Sequence, residues 1–184
     1  KVNSSCGIHV HVDASNHTPR SLKNALTIMY SKEDILFKAL QTNPARVNRW
    51  CQRVREDVLE DIRKMPSGTM RMDEFRRRWY QDRQRGVSHS HYDDTRYYAL
   101  NLHAVFDKGT VEWRCFNSTL HAGKVRAYIT LALAISAQAI NQKCTHMRKT
   151  EVTENPCFTF RTFLLRLGLI GPEYKNVRKH LLDH

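Results

Sequence analysis

The chain has 184 residues, of which 41% are hydrophobic and 26% are charged, a balance typical of a globular protein rather than a disordered one. This length suits one domain with a sizeable core, and the absence of an apolar stretch of about 18 residues argues against a transmembrane helix. The net charge of +12 favours phosphate-rich ligands, nucleic acid or acidic substrates as partners. The five cysteines include no Cys-x-x-Cys pair, which argues against a zinc ribbon and a disulfide framework. Such cysteine usage indicates a cytoplasmic protein.

The hydrophobic patterns predict three strands and about six helices. Residues 7–13 alternate, with Ile8 and Val10 on one face and His9 and His11 on the other, which is typical of a strand. Apolar residues at helical spacing and the flanking Pro and Gly residues predict the helices. These helices cover residues 21–41, 45–64, 72–84, 122–143, 157–167 and 172–182.

A hairpin is predicted from residues 96–106 and 110–117, with Lys108 and Gly109 at the centre of its turn. This register makes the apolar faces of the two strands coincide, as burial requires. It places His103 opposite Arg114 and puts Asn101 and Glu112 on the same polar face. The hairpin therefore predicts a polar face on one side of the sheet.

Two pairs of polar residues, each two positions apart on a strand, are the candidate functional residues. His9 and His11 can ligate a divalent metal or donate to phosphate oxygens. Glu112 offers a hard oxygen ligand for Mg²⁺, and Arg114 offers a guanidinium for phosphate. Taken separately, the histidines could be solvated strand residues and Glu112 and Arg114 an ion pair within the sheet.

Taken together, the two pairs resemble a known superfamily. Residues 5–12, Ser-Cys-Gly-Ile-His-Val-His-Val, are similar to the Gly-x-His-x-His strand of the glutamine synthetase and glutamate–cysteine ligase superfamily. Residues 96–102 and 110–120, with Asn101-Leu102 and Thr110-Val-Glu-Trp-Arg114, resemble the corresponding hairpin of its amidoligase branch. The resemblance spans about residues 5–182. It implies an α+β fold in which an antiparallel sheet, part of a glutamine synthetase-like catalytic sheet, is packed by helices.

The resemblance also implies which residues hold the cofactors, ATP and magnesium. His9 and Glu112 correspond to ligands of one magnesium ion. His11 corresponds to a contact of the ATP phosphates, together with Arg114. Asn101 is matched less closely and corresponds to a substrate or phosphate contact.

Two arginines correspond to catalytic residues of the family. Arg114 would neutralise the γ-phosphoryl group during transfer, and Arg96 would contact the phosphate or the substrate carboxylate. In the chemistry of the family, ATP phosphorylates a carboxylate, and an amine then displaces the phosphate to form an amide. The resemblance therefore implies small-molecule or peptide carboxylate and amine substrates, with metal and arginines stabilising the transferred charge.

One departure from the family pattern concerns the metal site. The superfamily takes most of its metal ligands from an earlier hairpin with a Glu-x-Glu motif, and the sequence contains no comparable pattern before Gly7. We therefore expect residues 1–184 to form a single amidoligase-like catalytic domain that is the C-terminal part of a longer one. Such a chain could be incomplete or inactive alone.

Two other function classes remain open on the sequence. The run Arg76-Arg77-Arg78-Trp79 in the 72–84 segment, with the positive net charge, fits a nucleic-acid-binding protein, although a solvated helix face explains it equally well. Four histidines in two His-x-His pairs, His9 with His11 and His89 with His91, could form a zinc, copper or nickel site. Nothing in the sequence brings the two pairs together.

Overall fold

The computed structural model describes residues 3, 5–66, 68–81 and 92–182, and its fold is α+β, as predicted. A three-stranded antiparallel sheet has the order β1-β3-β2. The strands are β1 (Gly7–Asp13), β2 (Leu100–Asn101) and β3 (Thr110–Asn117). The α-helices are α1 (Pro19–Ala39), α2 (Pro44–Val47), α3 (Glu56–Arg63), α4 (Met72–Trp79), α5 (His103–Lys108), α6 (Ala122–Asn141), α7 (Pro156–Arg166) and α8 (Lys175–Leu182). A 3-10 helix spans Asp94–Tyr97.

Helices α1 and α6 form the main helical layer. Helix α1 begins at a capping box in which Thr18 and Ser21 satisfy each other's backbone N–H groups, and Pro19 occupies its first turn. Helix α6 packs on α1, on α8 and on β1. Trp113 of β3 donates its indole N–H to the Ser136 hydroxyl of α6 at 3.3 Å. The apolar face of the sheet is therefore buried against α6, which leaves the other face for the polar residues.

The predicted hairpin is wrong in its extent, turn and register, although β2 and β3 do pair antiparallel. Of the predicted first strand, residues 96–106, only Leu100–Asn101 is a strand, and His103–Lys108 forms α5, whose C-cap is Gly109. Gly109 has a φ of 68°, so it is a left-handed helix C-cap rather than the centre of a β-turn. Asn101 lies opposite Glu112, whereas the predicted register would have placed Phe116 there. The observed and predicted registers therefore differ by four residues. Because side chains alternate between the two faces of a sheet, a shift by an even number leaves Asn101 and Glu112 on one face.

The predicted pairing of His103 with Arg114 is consequently wrong as well. His103 is the first residue of α5 and is buried, with its Nδ1 2.6 Å from the Tyr80 hydroxyl. Burial raises the pKa of Tyr80, so the phenol keeps its proton and can donate it to the imidazole.

The single helix predicted over residues 45–64 is also wrong, because the chain leaves α2 after Val47 and enters α3 at Glu56. Between them Gln52 runs alongside the start of β2. Its N–H donates to the Tyr97 carbonyl and its carbonyl accepts from Ala99 N–H, both at 2.7 Å. These backbone hydrogen bonds hold the segment in an extended conformation that helical spacing of apolar residues does not reveal.

No helix among the described residues is both long enough and apolar enough to cross a membrane. All five cysteines are free, as their number and spacing predicted.

Candidate active site around Glu112

The carboxylate of Glu112 is the centre of a polar cluster on the face of the sheet opposite α6. Its Oε1 lies 2.9 Å from His9 Nδ1, 2.9 Å from Arg114 Nη1 and 3.5 Å from His11 Nε2. Its Oε2 accepts a hydrogen bond from Asn101 Nδ2. We refer to these five residues as the Glu112 cluster. All three strands contribute to it, and it joins the two residue pairs that the sequence singled out.

Glu112 is ionised although only 5% of its surface is exposed. Burial by itself would raise the pKa of the carboxyl group. The hydrogen bond from His9, the charge of Arg114 and the hydrogen bond from Asn101 outweigh burial and lower the pKa to about 2. The cluster therefore holds a negative charge in a confined position, surrounded by donors.

Asn101 positions this carboxylate rather than facing the solvent. Its Nδ2 donates to Glu112, and its Oδ1 accepts from the Ala104 N–H in the first turn of α5 at 3.3 Å. The side chain is almost fully buried. Both ends of the amide are thus engaged within the protein, and the predicted contact of Asn101 with substrate or phosphate stays a prediction.

Arg114 is held by groups from three parts of the chain. Its Nη1 donates to Glu112, its Nε donates to the Trp50 carbonyl at 3.1 Å, and its guanidinium carbon lies 5.9 Å from the centre of the Tyr97 ring. The Trp50 and Tyr97 rings meet edge to face at 5.1 Å. This aromatic wall fixes a buried guanidinium next to the carboxylate.

Arg96, the second predicted catalytic arginine, contacts the same aromatic wall. Its guanidinium carbon lies 5.7 Å from the centre of the Tyr97 ring and 5.4 Å from that of Tyr92. Arg96 and Arg114 therefore both contact the Tyr97 ring. A guanidinium is suited to binding phosphate oxygens, and the catalytic role of Arg96 stays a prediction.

The two histidines of β1 form the more exposed rim of the cluster, each with 35% of its side chain exposed. The 2.9 Å contact between His9 Nδ1 and the ionised Glu112 requires Nδ1 to carry a proton and to donate it to the carboxylate. His11 Nδ1 lies 2.8 Å from the Thr110 hydroxyl. Burial lowers the pKa of His11 despite the attraction of Glu112, so the neutral ring can act as a ligand or a donor.

A β-bulge sets the direction of Arg114. Ile8 lies opposite Phe116 and Val10 lies opposite Trp113, so Arg114 and Cys115 together face the single residue His9. An extra residue of this kind increases local twist and redirects side chains, and bulges are frequent beside active sites. Here the bulge lies at the point where His9 and Arg114 meet.

Position 7, just before the two histidines, suits glycine because the buried side chain of Arg46 occupies the space that a Cβ would need. A Cβ on Gly7 would lie 1.9 Å from Arg46 Nη2 and 2.4 Å from Arg46 Cζ. Arg46 donates to the carbonyls of Phe116 at 2.6 Å and Arg114 at 3.0 Å. Through these two hydrogen bonds Arg46 holds the bulged part of β3 and fixes the backbone that carries Arg114.

Sequence reasoning missed Arg46, Trp50 and Tyr97. Arg46 and Trp50 act through backbone carbonyl contacts with β3, and residue type reveals no such contacts. Tyr97 falls within the Arg-Tyr-Tyr segment on which the family resemblance rests, so its position was a usable signal.

A magnesium ion at Glu112 would need phosphates and water as most of its ligands. Mg²⁺ prefers oxygen ligands, and nucleotide sites commonly supply one or two carboxylates while phosphates and water complete the octahedron. Glu112 is one ionised carboxylate, and the adjacent His9 turns its Nδ1 towards that carboxylate. Within residues 5–66, 68–81 and 92–182, no group of three or more His, Cys, Asp or Glu side chains is arranged to hold a metal ion.

The structure bears on one of the two alternative functions, nucleic-acid binding, but not on the other, a transition-metal site. Arg78 of the basic run is paired with Glu74 at 2.9 Å and Asp61 at 2.8 Å, and the Arg76 guanidinium carbon lies 5.7 Å from the centre of the Phe106 ring. Part of the positive charge of the basic run is therefore paired with other groups of the protein. Nucleic-acid binding by this run stays a prediction. The transition-metal alternative needs His89 and His91, which lie outside the described residues.

Comparisons with known proteins address the family directly. The family model described as "Putative amidoligase enzyme" matches residues 1–136, a range that contains every residue of the Glu112 cluster, Arg46 and the aromatic wall. No curated protein and no solved structure matches the chain. The match covers well over half of the 184 residues, and the chain belongs to the amidoligase family.

Proposed function

We propose that this protein is an ATP- and magnesium-dependent carboxylate–amine ligase that forms an amide bond through an acyl phosphate. The observation that carries the proposal is the Glu112 cluster, in which one ionised carboxylate is surrounded by an arginine, two histidines and an amide. Family membership independently favours ligase chemistry.

Positioning and charge stabilisation are the main tasks of a site that transfers a phosphoryl group. Arg114 is held at three points, so its guanidinium needs little reorganisation when negative charge develops nearby. Arg96 and the more exposed His11 supply further donors for phosphate or substrate oxygens. Magnesium, when bound at Glu112 and His9, would neutralise charge on the phosphate oxygens.

The two substrates would be a carboxylate and an amine of low molecular weight or within a peptide. The acyl phosphate forms when the carboxylate oxygen attacks the γ-phosphorus and ADP leaves. The amine then attacks the acyl carbon, phosphate leaves, and the amine loses a proton. This sequence balances without an oxidant or a reductant.

The test is magnesium-dependent conversion of ATP to ADP by the purified protein, supplied with a mixture of amino acids as carboxylates and amines. We expect conversion to require both magnesium and the amino acids. Arg114→Gln and Glu112→Gln should each abolish it. Arg161→Gln, a charge-matched change on the exposed surface of α7, should leave it unchanged.

Circular dichroism and thermal unfolding of each variant separate loss of function from loss of fold. Retained turnover in a folded Arg114→Gln or Glu112→Gln variant would refute the assigned roles. Absence of magnesium-dependent turnover by the full-length protein with every carboxylate and amine tried would refute the ligase itself.

A further inference from the structure

A cavity of about 590 Å³ lies between α1, α6, α7 and the connection that follows α6. The connection, residues 142–155, is tied to α1 at two points. Thr150 N–H donates to the Ser31 carbonyl at 2.8 Å, and the Thr145 hydroxyl donates to Asn24 Oδ1 at 3.2 Å. These contacts hold the cavity wall against the helices. The cavity shares no lining residue with the Glu112 cluster.

One of the cations that line this cavity is compensated within the fold. Lys149 Nζ lies 3.4 Å from Glu33 Oε1 and 3.6 Å from Asp34 Oδ2, and 4.5 Å from the centre of the Tyr30 ring. Its charge is therefore balanced by carboxylates of α1.

Three other lining cations are not balanced in this way. In the part of the chain that the structure describes, no carboxylate lies within 4.0 Å of Lys32, Arg148 or Arg166. Burial lowers the pKa of Lys32, and the positive charge of Arg166 lowers it further. Glu151 is the carboxylate among the lining residues. Three cations against one carboxylate leave an excess of two positive charges among these lining residues.

Gln138, one of the residues that line the cavity, holds a buried hydrogen-bond acceptor. Gln138 Nε2 donates to Gln142 Oε1 at 3.0 Å, which orients the amide. Gln138 Oε1 is then buried, and no donor among the described residues reaches it. A buried polar atom of this kind costs free energy unless a ligand or water supplies the donor. Ile28 and Phe163 give the cavity an apolar wall beside these polar groups.

Most of the cavity lies outside the residues that match the amidoligase family. The match ends at residue 136, within α6, whereas the lining runs from Gln138 to Arg166 apart from its α1 residues. Family membership therefore assigns no role to this cavity.

We propose that this cavity binds a small organic phosphate, specifically a phosphate monoester that also carries hydroxyl groups. A phosphate monoester has a charge between about −1.5 and −2 at pH 7, which matches the excess of positive charge. Arg148, Arg166 and Lys32 contact its oxygens, and a hydroxyl group donates to Gln138. The site is separate from the ligase centre, and the proposal does not depend on the function of that centre.

The test is calorimetric titration of the purified protein with ribose 5-phosphate, which has one phosphate monoester and several hydroxyl groups. Ribose serves as the uncharged control. Arg166→Gln removes a lining cation, and Arg161→Gln removes a cation from the same helix that does not line the cavity. The two variants have the same net charge, so they separate a specific site from general attraction to a basic protein.

We expect saturable 1:1 binding of ribose 5-phosphate, weakened about tenfold or more in Arg166→Gln and less than twofold in Arg161→Gln, with no binding of ribose. Gln138→Leu should weaken ribose 5-phosphate binding more than it weakens binding of inorganic phosphate. Equal weakening in the two arginine variants, or no saturable binding at millimolar ligand, would overturn the proposal. Loss of binding in Glu112→Gln but not in Arg166→Gln would place the anion in the Glu112 cluster and overturn it as well.

Discussion

Asn101 joins the start of α5 to the carboxylate of Glu112. Its amide nitrogen donates to Glu112 Oε2, while its oxygen accepts the Ala104 N–H. The two residues lie directly opposite each other in the β2–β3 pair. A side chain on the shortest strand of the sheet therefore sets the position of the central charge of the site.

Replacing Asn101 by Ala should destabilise the protein by about 1–3 kcal/mol, because it removes a donor from the buried Glu112 carboxylate and an acceptor from the Ala104 N–H in the first turn of α5. Urea denaturation measures the change. Asn176→Ala, on the exposed surface of α8, should change stability by less than about 0.5 kcal/mol. Equal effects of the two substitutions would contradict the role given to Asn101.

A methyl group on Gly7 should be costly. The Gly7→Ala side chain would overlap the Arg46 guanidinium, which two backbone carbonyls hold in place. We expect a loss of about 2–4 kcal/mol in unfolding free energy. Gly68→Ala is the matched control, since a Cβ there has no atom within 4 Å.

A double-mutant cycle identifies the cause of the Gly7 effect. Gly7→Ala should cost much less when Arg46 is already Ala, because the overlapping group is gone. An unchanged cost in that background would show that Arg46 is not the obstacle.

Stability should fall as the pH drops below about 6.5, in part because of His17. His17 is buried with Nδ1 3.1 Å from the Ser21 hydroxyl, and burial lowers its pKa from the ordinary value of 6.5, with Asp13 opposing the shift. Between the two pKa values the unfolded state takes up a proton that the folded state does not. The contribution of His17 is therefore complete above pH 6.5 and declines as the pH falls towards the lowered value.

His17→Gln isolates this effect from that of His11, whose pKa is also lowered. Urea denaturation from pH 8 to pH 5 should show a shallower decline in the variant than in the unmodified protein. Parallel declines would refute the assignment.

Tyr97→Leu should impair the site while preserving the fold. The Tyr97 ring faces the guanidiniums of both Arg96 and Arg114, and its loss frees both to adopt other rotamers. We expect magnesium-dependent ATP turnover to fall about tenfold or more, with Tyr97→Phe retaining most of it because the ring remains. Equal turnover in the Leu and Phe variants would contradict this role.

The sequence predicted the parts of the fold that depend on local patterns. Alternation identified β1, and Thr18 with Pro19 marks the start of α1, which begins two residues before the predicted bound. Leu102, Ala104 and Phe106 also alternate, but Leu102 is the N-cap of α5 and the other two lie within that helix, which ends at Gly109 in the left-handed conformation. A short alternating run does not distinguish these outcomes.

The alternation of side chains along a strand made part of the candidate site predictable. Glu112 and Arg114 are two residues apart, so they were predicted on one side of β3, and the structure places their side chains 2.9 Å apart. Arg46 and Trp50 could not be predicted, because Arg46 contacts β3 from the short helix α2 and Trp50 from the turn after it, where the sequence pattern predicts one continuous helix. Their contacts depend on chain path rather than on residue spacing.

The central claim is that the Glu112 cluster binds the phosphates of ATP with magnesium, and calorimetric titration with ATP, with and without magnesium, tests it most directly. His11→Gln changes an exposed member of the cluster, and His146→Gln changes a histidine that lines the cavity between α1, α6 and α7. We predict that ATP binding requires magnesium, weakens about tenfold or more in His11→Gln and is unchanged in His146→Gln. Binding that is independent of magnesium, or that weakens in His146→Gln but not in His11→Gln, would contradict the account.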